Sequence, residues 1–277
     1  MDTRRKAAVG ASAAAVAAIA TTLILLTVQH YNVYLPAFYM RESKHGITLP
    51  SPCDDVRPLN GEWFYTWGLD NPCPDVNVQF IPMVWSVDYA TALPGRTWPI
   101  GVSWLLGFNE CNYRGQAECT AKQAADAWPL LEVTGRLLVS PAPAACSPQT
   151  DPLCIRDGLE WLTEFLQLVG VNRVDAIGVH WYGGKARDLY AYLEQVHGLA
   201  PGKPIWLTEF AATTPWGVDI EAFMQETIPH LAEHGVVRYA WFTTRANPAW
   251  WYIAPMVGDD GILTPLGQTY RQYGRLF

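Results

Sequence analysis

Eight short apolar runs, each closing on polar or aromatic residues and separated by longer stretches, set the tightest limit on how this chain can fold. They are HGITLPS (45–51), WFYTWG (63–68), VQFIPMVW (78–85), SWLLGFNE (103–110), RLLVSPAP (136–143), AIGVHWY (176–182), PIWLTEF (204–210) and VRYAWFT (237–243). Between them, Thr120–Glu132, Asp157–Leu168, Ala186–His197 and Asp219–His234 carry apolar residues at spacings of three and four, the mark of helices with one buried face. The last of these starts at Asp219, a good N-cap, and ends before Gly235, a good C′ residue. Strand runs alternating with helical stretches are the pattern of βα units around a parallel sheet. Eight such units over residues 43–277 predict an α/β fold of the (β/α)8 TIM-barrel kind, whose usual size is ~250 residues. Between Trp85 and Ser103 there is little helical periodicity and there are two prolines, Pro94 and Pro99, so the third crossover helix is expected to be short or absent.

The N-terminus has a different composition. Arg4, Arg5 and Lys6 precede 22 uncharged residues, Ala7–Val28, a run long enough to span a bilayer. Basic residues before the run and few after it predict an inside N-terminus. The expected layout is a short cytoplasmic tail (1–6), a single hydrophobic signal-anchor helix (7–28), a linker (29–42) and the barrel (43–277) on the extracytoplasmic side. A cleaved signal peptide is the alternative, although Thr27-Val28-Gln29 is a poor cleavage site. The barrel is then either tethered to the membrane through that segment or secreted.

A net charge of -7, with no clustered Lys/Arg excess after residue 6, excludes a nucleic-acid partner. The chain is expected to act as a monomer. Its six cysteines, in an oxidising compartment, read as three disulfides. Nearest-neighbour pairing gives Cys53–Cys73, Cys111–Cys119 and Cys146–Cys154, one of the 15 connectivities that six cysteines allow. With no C-x-x-C pair and no His cluster at ligand spacing, neither a metal nor another cofactor is expected.

Active sites of such barrels lie at the C-terminal ends of the strands. Trp67, Trp85, Asn109, Glu110, His180, Trp181, Tyr182, Glu209 and Trp241 stand there. Glu110 and Glu209 each follow an apolar strand just as it leaves the core, where partial burial keeps one carboxyl protonated and hydrogen-bond donors keep another ionised. That division of labour is what glycosidic cleavage requires. A lone strand-end glutamate equally well caps a helix or pairs with an arginine; two at matched strand ends, both flanked by aromatics, favour catalysis. The chain holds 13 tryptophans, and indoles stack on the C–H faces of sugar rings, so Trp67, Trp85, Trp181, Trp241 and Trp250 or Trp251 would line a glycan groove. Packing of the barrel top is the competing role for each of them singly. His180 either donates to a sugar hydroxyl or a carboxylate, or is a satisfied structural histidine.

Taken in order, KHG-Ile47, FYTWG, FIPMVW, LLGFNE, SPA (140–142), GVHWY, KPIWLTEFA, RYAWF and DGILTPLGQTY resemble glycoside hydrolase family 128, also described as the Asl1-like glycosyl hydrolase catalytic core. The resemblance covers about 43–277. It implies a retaining hydrolase of β-1,3-glucan, with Glu110 as acid/base, Asn109 holding the sugar 2-hydroxyl, Glu209 as nucleophile, and His180, Tyr182 and Trp241 as substrate contacts. The family pattern continues GFNE with proline, where this chain has Cys111. A Cys111–Cys119 disulfide would restore the rigidity that proline supplies. The alternative to an enzyme is a cell-surface protein that binds β-glucan without cutting it.

Overall fold

The computed structural model describes residues 45–50, 52–213, 217–250 and 253–274. The expected tail, anchor helix and linker (1–42) lie outside the described residues, as do Trp251 and the side chain of Trp250.

All eight apolar runs form strands: β1 His45–Thr48, β2 Trp63–Tyr65, β3 Gln79–Phe80, β4 Trp104–Leu106, β5 Leu137–Val139, β6 Ile177–Gly183, β7 Ile205–Ala212 and β8 Val236–Trp241. Six of them make one sheet in the order β3-β2-β1-β8-β7-β6, while β4 and β5 pair separately. Every pairing is parallel. Single parallel bridges, Met83 to Leu106 and Val139 to Ala176, connect the β3–β4 and β5–β6 edges. Each residue of β1, β7 and β8 is buried, so these strands read as continuous apolar runs, as strands covered on both faces do.

Among the described residues, five α-helices cover the sheet: α1 Ala121–Glu132, α2 Gly158–Val169, α3 Ala186–Leu199, α4 Ile220–Thr227 and α5 Pro265–Tyr273. Local chemistry sets their starts. Thr120 and Gln123 form a capping box ahead of α1, Asp157 accepts from the Leu159 and Glu160 amides, and Asp219 accepts from the Ala222 amide. The expected single helix Asp219–His234 is not observed. Pro229 has no N–H and its ring crowds the preceding turn, so α4 stops at Thr227 and Ile228–His234 continues as a 3₁₀ helix. Gly235 closes it at φ 79°, the left-handed position foreseen for it. The third crossover is a 3₁₀ turn, Asp88–Ala92. Helix α5 was not anticipated; its Tyr270 hydroxyl donates to the Gly46 carbonyl at 2.6 Å and accepts from the Trp241 amide at 3.1 Å, tying the C-terminal helix to β1 and β8.

The disulfides join Cys53 to Cys73, Cys111 to Cys119 and Cys146 to Cys154. The first links the β1–β2 and β2–β3 connections, which carry no α-helix among the described residues. Arg245 grips the buried Asp55 carboxylate with two hydrogen bonds of 2.7 Å, fastening the same β1–β2 connection to the segment after β8.

Candidate active site

Glu209 and His180 are register partners on the adjacent strands β7 and β6. The register slips between Val179 and His180 on one side and between Leu207 and Phe210 on the other. Such irregularities re-aim side chains at strand ends, and here they flank both residues. Glu110 arrives from β4 by a sharper device. Gly107 passes so close to β5 that a Cβ would sit 2.7 Å from the Pro141 nitrogen. The chain then turns at Glu110 with φ 43°, a left-handed conformation that costs a non-glycine residue on the order of 1–3 kcal/mol. Its surroundings hold it there. The Glu110 amide donates to the Ala142 carbonyl at 2.9 Å, and Cys111 is bonded to Cys119. The Asn112 side chain donates to the Ala144 and Arg156 carbonyls and accepts from the Ala144 amide.

The three side chains meet. His180 Nδ1 lies 2.9 Å from Glu110 Oε1, and its Nε2 lies 3.5 Å from Glu209 Oε1. One oxygen from each carboxylate and one imidazole nitrogen all fall within 4.8 Å of one another. Glu209 receives three donors: the Tyr65 hydroxyl at 2.9 Å and the Trp67 indole N–H at 2.8 Å on Oε1, and the Tyr182 hydroxyl at 2.6 Å on Oε2. That pattern suits an acceptor-only carboxylate. Among the described residues the Glu110 carboxylate has no comparable set, with His180 as its side-chain partner. Burial raises its pKa; the hydrogen bond and charge of His180 work against that rise, and the charge of Glu209 adds to it. Burial by itself would lower the pKa of His180, but the two glutamates outweigh it and the net shift is upward. Glu110 and His180 are thus joined by a 2.9 Å contact, and both titrate above their ordinary values. Burial, reinforced by the Glu209 charge, keeps the Tyr65 and Tyr182 phenols protonated as donors.

Two carboxylates and an imidazole in such proximity also form a donor set of the kind that holds a cation, a grouping that sequence spacing did not foresee because each residue comes from a different strand. Both Glu209 oxygens, however, already face O–H and N–H donors, and His180 Nδ1 faces Glu110. The arrangement is that of a proton network.

The carboxylates open on a cavity of about 1220 Å³, larger than a drug-sized pocket and roomy enough for several sugar rings. Asn109, Glu110, Glu209, Trp67, Trp85, Trp181 and Tyr182 line it. His180 sits behind the carboxylates with no exposed surface, so its partners are the glutamates. Trp241 is a correction. It is fully buried, packed against Phe210 and Phe223, because it points from β8 toward α4. Its neighbour Phe242 reaches the cavity instead, edge-on to Trp67 and Tyr182. Tyr65 was also missed: it ends β2 with its side chain buried, two residues before Trp67, which lies beyond the strand at φ 57°.

The profile of the glycosyl hydrolase catalytic core family matches residues 50–270. A subgroup II endo-β-1,3-glucanase of glycoside hydrolase family 128 from Sorangium cellulosum is 30% identical, with a TM-score of 0.68 over 83% of this chain and 98% of its own. A subgroup I endo-β-1,3-glucanase from Amycolatopsis mediterranei, solved as a glutamate-to-alanine variant in complex with laminaripentaose, is 30% identical with a TM-score of 0.66 over 83% and 99%. A subgroup V exo-β-1,3-glucanase from Cryptococcus neoformans is 26% identical with a TM-score of 0.68 over 83% and 99%. Alkali-sensitive linkage protein 1 of Schizosaccharomyces pombe is 31% identical over 122 residues, a match spanning 41% of this chain and 23% of that protein. Matched by the profile across most of its length and sharing fold and sequence with relatives that it covers almost end to end, this chain belongs to the glycosyl hydrolase catalytic core family, within glycoside hydrolase family 128.

Proposed function

We propose that the chain is a retaining hydrolase of β-1,3-glucan, built on a (β/α)8 barrel and working outside the cytoplasm. The observation that carries the mechanism is the approach of a Glu110 oxygen and a Glu209 oxygen to within 4.8 Å on the wall of an aromatic cavity. Retaining glycosidases hold their carboxyl groups about 5–5.5 Å apart, while inverting ones leave room for a water between them at about 6.5–9.5 Å. Glu209, oriented by Tyr65, Trp67 and Tyr182, attacks the anomeric carbon. Glu110, kept protonated by burial, gives its proton to the departing oxygen and then removes one from the water that frees the sugar. Asn109 projects into the cavity beside Glu110, positioned for a sugar hydroxyl. The two bridges at the β3–β4 and β5–β6 edges support closure of the eight strands into a barrel. Three disulfides support an oxidising location, anchored to the membrane or secreted. The paired carboxyls favour cleavage over binding alone.

Proton NMR of the first sugar released from laminari-oligosaccharides by the purified full chain tests this directly. The β-anomer is expected to appear first and to mutarotate later; an α-anomer at the outset refutes retention, and no release refutes hydrolysis.

The pH profile tests the acid. kcat/KM falls on the alkaline side as Glu110 loses its proton, and His180 holds that pKa below where burial alone would put it. His180→Phe removes the hydrogen bond and the charge that favour the Glu110 anion. The alkaline limb is therefore expected to move to higher pH, and an unmoved limb separates His180 from the acid.

A further inference from the structure

Asn109 is 3% exposed and lies beside Glu110 on the cavity wall. Its backbone is fixed from two sides: the amide donates to the Trp85 carbonyl at 2.9 Å, and the carbonyl accepts from the Ala117 amide at 3.2 Å. The side chain has more freedom, because a half-turn about its last bond exchanges Oδ1 and Nδ2 with little change in shape. Oδ1 is enclosed and accepts no hydrogen bond among the described residues. One contact decides the orientation. Nδ2 donates to Gln116 Oε1 at 3.0 Å, and Gln116 is half-buried on the same cavity wall. An acceptor placed there keeps the N–H end of Asn109 on the cavity side, and Nδ2 retains a second proton to donate.

A glutamine on a loose loop would be a weak guide, since fixing such a side chain costs up to about 2 kcal/mol of rotamer entropy. Here the backbone beneath it is tied down first. The Cys111–Cys119 disulfide closes residues 111–119 into a ring, and the Cys119 amide donates to the Cys111 carbonyl at 3.0 Å. Within the ring the Gln116 amide donates to the Tyr113 carbonyl at 3.3 Å and the Gly115 amide to Glu118 Oε1 at 2.6 Å. Gly115 takes φ 78°, a left-handed turn that glycine makes without strain. Tyr113 fastens the ring to the loop closed by Cys146–Cys154: its hydroxyl donates to Asp151 Oδ2 at 2.9 Å, and its backbone bridges to Cys154. The ring starts at the residue after Glu110 and reaches back to Asn109, so one disulfide-closed loop bears on both neighbours.

We infer that Gln116 is a positioning residue: by accepting from Asn109 Nδ2 it aims the Asn109 amide at the 2-hydroxyl of the sugar whose bond is cleaved. The inference rests on the hydrolase reading and on Asn109 meeting that hydroxyl. Hydrogen bonds to the 2-hydroxyl strengthen in the transition state. A misaimed Asn109 therefore slows the chemical step more than it weakens binding, and the loss falls in kcat rather than in KM. A Gln116 that touched the substrate itself, or that only supported the loop, would leave a different trace.

The test is steady-state kinetics of the purified, fully oxidised chain on laminari-oligosaccharides, as a cycle of wild type, Gln116→Met, Asn109→Ala and the double variant. Gln116→Met keeps the length of the side chain and removes the acceptor. It is expected to lower kcat by roughly threefold to tenfold, the worth of one hydrogen bond, with KM little moved and the thermal midpoint unaltered. In the Asn109→Ala background the same substitution is expected to change kcat by less than about twofold, because the group it aims is gone. A wild-type kcat in Gln116→Met, a rise in KM alone, an undiminished loss in the Asn109→Ala background, or a midpoint lowered by several degrees overturns the positioning role. The last three assign Gln116 to direct substrate contact or to the loop. Asn109→Ala with wild-type kcat removes the inference while the hydrolase reading stands; a wild type that releases no sugar loses both.

Discussion

Glu209→Gln is expected to cut turnover of β-1,3-glucan by at least about 10⁴-fold, in line with the cost of deleting a nucleophile elsewhere, while the fold survives. Glutamine has nearly the same shape, and its carbonyl oxygen can take over the Tyr65 and Trp67 bonds that Glu209 Oε1 accepts. The new amide nitrogen then meets the Tyr182 hydroxyl, which can rotate and accept instead of donate. What the variant loses is the negative oxygen that must bond to the anomeric carbon. Release of reducing ends and a thermal melt together decide the matter. More than a tenth of wild-type turnover, measured on protein of wild-type melting behaviour, would end the assignment of Glu209 as nucleophile.

Glu110→Ala is expected to produce a different kind of loss. General acid catalysis is worth about 10²–10⁴-fold, and that loss should fall fully on glucan, whose leaving alkoxide needs the proton. A substrate with an activated aryl leaving group does not need it, so its first step should survive and the glycosyl-enzyme should accumulate. Azide, which needs no base, should then relieve the block and yield a β-glycosyl azide. Alanine keeps the Cβ that Glu110 already places at φ 43°, so the backbone strain is unaltered and the comparison stays chemical. An α-azide would contradict double displacement, and equal losses on both substrate types would remove the proton-donating role.

The strands could be read from the sequence because they are buried on both faces, which forces apolar runs with little alternation. The helix starts were legible for a local reason: Thr120, Asp157 and Asp219 each cap through their own side chains. Pro229 was in plain view, yet apolar spacing of three and four persists across the break it makes. Helix α5 escaped because its buried face is Leu266, Gly267, Thr269 and Tyr270, too polar and too small to register as an apolar stripe. At the site, Glu110 and Glu209 were visible as acidic residues closing apolar runs of sequence, although Glu209 lies within β7 and Glu110 four residues beyond β4. Phase was not visible: register slips near the strand ends decide that Phe242 rather than Trp241 meets the cavity. Counting tryptophans also mixed two roles, since Trp63, Trp128, Trp161, Trp206 and Trp241 are wholly interior.

Among the described residues the connections flanking β2 have no α-helix to brace them, and a covalent tie between Cys53 and Cys73 stands in its place. Thr66, Trp67 and Pro72 of the second connection, with Pro50, Pro52 and Cys53 of the first, wall one side of the cavity. On that flank, shape is secured by oxidation after synthesis and less by burial of a helical face. A chain made in a reducing compartment would carry most of its helices and strands and the same eight-strand arithmetic, yet present a slack wall to the glucan proposed to lie there. Spectroscopic helicity would then be a poor proxy for competence, and the oxidative history of a preparation would matter as much as its purity.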